Sequence, residues 1–318
     1  MNQSQNRMKY FWLSFTPLLA VLAIQSAASI FIMQLELITF IGTSPITDFG
    51  TFVRAGLSHL TGTNTMSLIL FVYGVFALLA TSLWYRAFRK KTYPDMETGN
   101  SPSEALTDAK DSLRGYKKGR LIAGILLCGV AFQIVMNYFT TVLAMIRPDW
   151  LKTYEDAMKA SGVGTEQVSV FIVLYMIIGP LSEELTFRGL TYGYARRAMG
   201  FWGANAVQAI LFGVFHMNPL QGIMAAVVGL LLGYVYGKTN NIFVTMGIHL
   251  TFNATSFLMG ETDFTGFGPF VFFLLILGCL IVTYAAIRLI LSSRPVAVPK
   301  EKAPEDGGAA HKGNLPGG

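Results

Sequence analysis

Apolar residues along this chain are gathered into long runs separated by short polar stretches. The runs fall at about 10–41, 65–85, 121–146, 168–195, 201–216, 220–237, 242–259 and 268–291. A bilayer core is crossed by about 20 apolar residues in α-helical form, and in lipid a helix satisfies every backbone polar group within its own segment. The pattern therefore predicts an all-α, polytopic membrane protein of about eight transmembrane helices. The first run follows Arg7 and Lys9 as a signal peptide would. Its length far exceeds a cleavable core, so it is expected to be a retained span.

Composition agrees with the pattern. Of the 318 residues, 53% are hydrophobic and 13% charged, against roughly 25% charged in soluble domains, and mean hydropathy is +0.49. One membrane domain is expected, arranged as two N-terminal spans with a basic loop (1–120), a membrane core (121–293) and a disordered, Pro- and Gly-rich tail (294–318). Cys128 and Cys279 sit in different apolar runs and suggest neither a disulfide framework nor a CxxC metal site.

Charge sets the expected orientation. With the N-terminus inside, Arg86 to Lys91, the cluster from Lys110 to Arg120, Arg196, Arg197, Lys238 and the tail all lie on the cytoplasmic side. Only Arg54, Arg147, Lys152 and Lys159 fall outside. Such one-sidedness is the positive-inside signature and predicts cytoplasmic N- and C-termini. The net charge of +6 is not read as nucleic-acid binding, because the basic residues flank spans and are interleaved with Asp95, Glu97, Glu104, Asp108 and Asp111. Their expected partner is the lipid headgroup.

Gly229, Gly233 and Gly237 recur every four residues and place bare backbone on one helix face, where a neighbouring helix can come close. That is a packing signal. The ionisable residues inside the later runs are a different matter, since a charge within a span is costly and needs compensation. Glu183 and Glu184 are adjacent in IIGPLSEELTFRG. Arg188 lies one turn beyond Glu184 and can pair with it, whereas Glu183 is rotated roughly 100° away. Glu184 thus reads as structural and Glu183 as free. Carboxylates held in low dielectric can exchange protons nearer neutrality, as a general base must.

Two of the four histidines, His216 in LFGVFHMN and His249 in MGIHLTFN, belong to apolar runs. Asn253 follows His249 by one turn. Phe212 and Gln208 precede His216 by one and two turns, so both helices are expected to carry polar stripes. Counting about 1.5 Å per residue from the cytoplasmic charges puts Glu183 ~20 Å, His216 ~24 Å and Asn253 ~18 Å deep, provided the fourth helix continues to about Ala195. These residues are expected to share one level.

In order and in spans, three motifs stand out: EExxxR at Glu183, Glu184 and Arg188, continuing with Phe187 and Gly189; FxxxH from Phe212 to His216; and HxxxN from His249 to Asn253. They resemble the CAAX protease and bacteriocin-processing (Abi) family of intramembrane peptidases over about 168–257. The resemblance implies a glutamate-type membrane endopeptidase. Glu183 and His216 would activate water, His249 and Asn253 would stabilise the oxyanion, and Glu184, Arg188 and Phe212 would support them. It also implies a membrane-anchored or lipidated protein or peptide as substrate.

Alternatives stay open beside it. Glu183, His216 and His249 could ligate zinc with water in an open position, although HExxH is absent and a metal-free site is favoured. A non-catalytic scaffold or immunity-type protein would keep the constellation for partner binding. A proton-coupled transporter would use the same groups as a relay. A bacterial inner membrane is the expected location.

Overall fold

The computed structural model describes residues 3–45, 48–92, 113–163, 168–259 and 268–294. These residues form helices throughout, and the fold is all-α. The expected disordered tail lies outside the described residues from 295 onward, as does the stretch 93–112 of the basic loop.

The first arm comprises α1 (Gln3–Leu13) and α2 (Thr16–Thr43), followed by the short α3 (Phe49–Leu60) and the long α4 (Thr63–Thr92). Asp48 caps α3 by accepting the Thr51 N–H at 2.8 Å, which satisfies one of the donors left over at a helix start. His59 of α3 bonds Glu36 of α2 at 2.8 Å. Next come α5 (Lys118–Ile146) and α6 (Pro148–Ser161). Gly162, with φ +87°, closes α6 in the left-handed region that a side chain would resist.

A continuous span follows: α7 (Val170–Glu184), a π-helical segment (Leu185–Thr191) and α8 (Tyr192–Ala198). The C-terminal part holds α9 (Phe201–Phe215), α10 (Pro219–Thr239), α11 (Ile242–Met259) and α12 (Pro269–Ser292). Among the described residues, seven helical segments are long and apolar enough to cross a membrane.

The eighth apolar run differs from the expectation in length. Helix α9 has 15 residues, about 22 Å, short of a bilayer core of about 30 Å. It is one arm of a hairpin with α10. Lys238 Nζ lies 5.2 Å from the Phe201 ring at the open end, and Gly213 faces Gly222 near the turn. The start of α9 and the end of α10 therefore lie together.

Three apolar clusters hold the bundle. Cys128, Phe132, Leu232, Ile248 and Ile290 join α5, α10, α11 and α12. Val21, Tyr73, Phe187 and Phe212 join α2, α4, the π segment and α9. Tyr85, Leu190, Tyr192 and Tyr236 join α4, the central span and α10. Outside them, Leu19, Ile30, Phe31, Leu83, Leu126 and Leu280 are among many large apolar side chains left exposed, and a bilayer is the environment that covers such a surface.

The glycine stripe of α10 does what the sequence suggests. A side chain at Gly229 would meet Ala209 at 3.0 Å, and one at Gly233 would run into Asn205 and Gln208 of α9. Gln208 Nε2 donates to Gly229 O at 2.7 Å, and Asn205 Nδ2 to Leu230 O at 3.0 Å. Gln208 is therefore a tie between α9 and α10. It does not extend a functional stripe above His216, because the bare backbone opposite supplies a buried acceptor that only a close neighbour can reach.

Candidate active site

The central span carries the acidic pair where its geometry changes. Immediately after Glu184 the helix widens to π turns through Leu185–Thr191, every residue of which is buried, and Tyr192 N–H reaches back five residues to Phe187 O. Such turns are rare and occur frequently at functional sites. The widened segment is clasped by α4, since side chains at Gly189 and Gly193 would come within 2.8 and 2.7 Å of Tyr85 and Phe88. Continuity to Ala198 also meets the condition on which the shared depth of the site residues depended.

Glu184 sits at the centre of a closed polar group. Its Oε1 lies 3.1 Å from Arg188 Nη1 and 2.8 Å from His249 Nδ1, and the Glu184 and Arg188 side chains are fully buried. Arg188 nitrogens make no hydrogen bond among the described residues. Its guanidinium instead lies 4.4 Å above the Phe212 ring, so that aromatic face adds to the attraction of Glu184 and, more weakly, Glu183. The expected Glu184–Arg188 pair is present. What the sequence did not reveal is that Glu184 also holds His249, 65 residues further along. A carboxylate acceptor places a proton on Nδ1 and aims Nε2 away from Glu184.

Glu183 is the acid left with access. Its side chain is 11% exposed, and Oε2 stands 3.7 Å from His249 Nε2. That separation exceeds a direct hydrogen bond. The acidic pair thus divides into a sealed member and an accessible one, with His249 between them.

His216 enters from α9, and its orientation follows from how that helix ends. The His216 N–H bonds Gly213 O and Val214 O, so the carbonyl of Phe212, one of the last in the helix, lacks its usual partner. His216 Nδ1 takes that place at 2.9 Å. A backbone carbonyl only accepts, so Nδ1 carries the proton and a neutral ring keeps Nε2 as a base. Met217, at φ +50°, then turns the chain, and Asn218 caps α10 through the Gln221 N–H at 3.1 Å.

Phe212 is the common wall. Its ring meets those of His216 and His249 edge-on, with centroids 5.0 and 5.9 Å apart. The same ring that supports Arg188 therefore fixes the gap between the two imidazoles. Asn253, one turn beyond His249, is half-buried, and its side chain makes no hydrogen bond among the described residues, which leaves its amide available. Thr245, one turn before His249, is buried and completes a polar line at four-residue spacing along α11. Tyr73, whose ring lies 6.5 Å from Phe215 and 6.3 Å from Tyr175, walls this side of the bundle from α4. No sequence motif singled it out.

Among the described residues, no three His, Cys, Asp or Glu side chains form a group able to hold a metal ion. Glu183, His216 and His249 are brought to one region as an acid and two imidazoles whose orientations are set by Glu184 and by Phe212 O.

An all-helical membrane bundle with an acid and imidazole cluster sealed among its helices defines the class: a polytopic membrane protein with the polar groups of a hydrolase at mid-chain. Residues 165–255 match the family described as type II CAAX prenyl endopeptidase Rce1-like. A protein of Bacillus subtilis (strain 168) named "Putative membrane peptidase YdiL" is 26% identical over 94 residues, which cover 30% of this chain and 38% of that relative. No solved structure matches the chain. This segment, which contains all the motif residues, is similar to that family and to that relative. The matches support a membrane protease.

Proposed function

We propose that the protein is an intramembrane endopeptidase in which Glu183 and His216 activate a water against a peptide carbonyl while His249 and Asn253 receive the oxyanion. The observation that carries this reading is the grip of Glu184 on both Arg188 and His249, which leaves Glu183 beside the far nitrogen of that imidazole.

The water lies between Glu183 and His216 Nε2, which share its proton as the oxygen attacks the carbonyl carbon. The new C–O bond places negative charge on the carbonyl oxygen. Asn253 Nδ2–H and His249 Nε2–H donate to it, with the Glu184 carboxylate holding the other ring nitrogen of His249. Collapse breaks the C–N bond, and the proton held by Glu183 passes to the departing amine. Sealing the cluster among helices strengthens each of these interactions.

The substrate is proposed to be a membrane-anchored or lipidated peptide, since the site lies among the spans. The name of the matched family supports testing prenylated peptides. A bacterial inner membrane with both termini cytoplasmic is the matching proposal for location, supported by the one-sided basic residues. The metal-free route is likewise a proposal. The test is cleavage of membrane-tethered peptides, some prenylated, by detergent-purified protein beside Glu183→Gln, with and without a chelator. Cleavage abolished by Glu183→Gln and indifferent to chelator is expected. Loss with chelator would overturn the metal-free route, and absence of cleavage with partner binding intact would favour a scaffold.

A further inference from the structure

On the lipid-facing side, away from the acid cluster, α10 and α12 enclose a cavity of about 580 Å³ lined by Tyr234, Tyr284, Ile287, Arg288, Leu291 and Ser292. It lies near the ends of both helices that the charge pattern assigns to the cytoplasm, since α12 ends at Ser292 and α10 at Thr239. The lining has three parts: apolar side chains from Ile287 and Leu291, phenols from Tyr234 and Tyr284, and one cation, Arg288. Arg288 Nη1 donates to Tyr284 Oη at 3.4 Å. No acidic residue lines the cavity.

A second cation, Lys238, lies beside Tyr234, one of the lining residues. Lys238 Nζ lies 5.7 Å from the Tyr234 ring and 5.2 Å from the Phe201 ring, and Trp202 stacks on Tyr234 at 6.1 Å and 23°. Neither Arg288 nor Lys238 pairs with a carboxylate among the described residues. Two uncompensated cations, an aromatic girdle and an apolar base at the end of two spans match the parts of an anionic phospholipid: phosphate, glycerol and the start of the acyl chains.

We infer that this cavity is a binding site for an anionic phospholipid, with the phosphate between Arg288 and Lys238 and the acyl chains running over Ile287 and Leu291. A peptide carboxylate would meet the same two cations, but it would leave the apolar floor uncovered. The site is independent of the proposed peptidase activity and does not share a residue with it.

The test is native mass spectrometry of the full chain in detergent, titrated with phosphatidylglycerol or phosphatidylcholine. Wild type is compared with Arg288→Gln/Lys238→Gln and with an equal charge removal on the same face, Lys118→Gln/Arg120→Gln. The expected result is preferential retention of phosphatidylglycerol by wild type and by the Lys118/Arg120 variant. The Arg288/Lys238 variant should hold it more than tenfold more weakly, since each cation near an anionic headgroup contributes roughly fivefold. All four side chains are exposed, so melting temperatures should agree and a folding failure would be visible. Equal weakening in both double variants, or no preference over phosphatidylcholine in wild type, overturns the inference. So does displacement of the lipid by millimolar inorganic phosphate.

Discussion

Glu184→Gln isolates the asymmetry on which the site is built. The substitution keeps the shape of the side chain and leaves an amide oxygen to accept from His249 Nδ1, but it removes the charge facing Arg188. That guanidinium is fully buried, has no hydrogen bond among the described residues and retains the Phe212 face at 4.4 Å and the weaker attraction of Glu183. Removing one partner of a buried pair costs about 3–5 kcal/mol, roughly two to four orders of magnitude in the folded-to-unfolded ratio. Glu183→Gln is the control. Glu183 makes no short ion pair, its nearest being a 3.7 Å contact to His249, so its neutralisation should change stability by about 1 kcal/mol or less. The double variant Glu184→Gln/Arg188→Met removes both charges and should regain most of the loss. Reversible unfolding in mixed dodecyl maltoside and SDS micelles, followed by circular dichroism, measures all three. If Glu184→Gln unfolds within about 1 kcal/mol of wild type, Glu184 is not the keystone and the account of how His249 is aimed fails with it.

Three further outcomes follow from particular contacts. Asn253→Ala should lower kcat by about 10²–10³ as a lost oxyanion donor while leaving the unfolding midpoint unchanged, since Asn253 bonds nothing among the described residues; a stability loss without a kcat effect would make it structural. Gly213→Ala places a Cβ 2.5 Å from the backbone carbonyl of Gly222, which cannot rotate away, so a loss of about 1–3 kcal/mol is expected, and an unchanged midpoint would show that the α9–α10 hairpin is looser than described. Asp48 has a carboxyl held below its ordinary value by the Thr51 N–H. A depressed carboxyl stabilises the fold above its unfolded value and ceases to do so as pH falls through the lowered folded value, so amide protection at the start of α3 should be full at about pH 5 and be lost only below 3.8; protection at about pH 5 that is unchanged in Asp48→Ala would rule the cap out.

The run lengths alone determined that this is a helical membrane protein, because lipid accepts few other ways of satisfying a backbone and the required length is set by bilayer thickness. Four-residue spacing likewise made the Glu184–Arg188 pair and the glycine face of α10 legible, since neighbours on one helix face are a property of local geometry. The motif residues were found the same way, as polar groups where lipid tolerates few. Three things depended on tertiary structure. Helix α9 proved too short to cross alone and pairs with α10, because Gln208 and Asn205 find backbone acceptors only where the glycines admit them. Glu184 turned out to aim His249 from 65 residues away, and Phe212 to serve Arg188 and both imidazoles at once. Spacing along one helix cannot encode such contacts, for they arise when separate helices pack and a buried charge takes whichever partners that packing brings within reach.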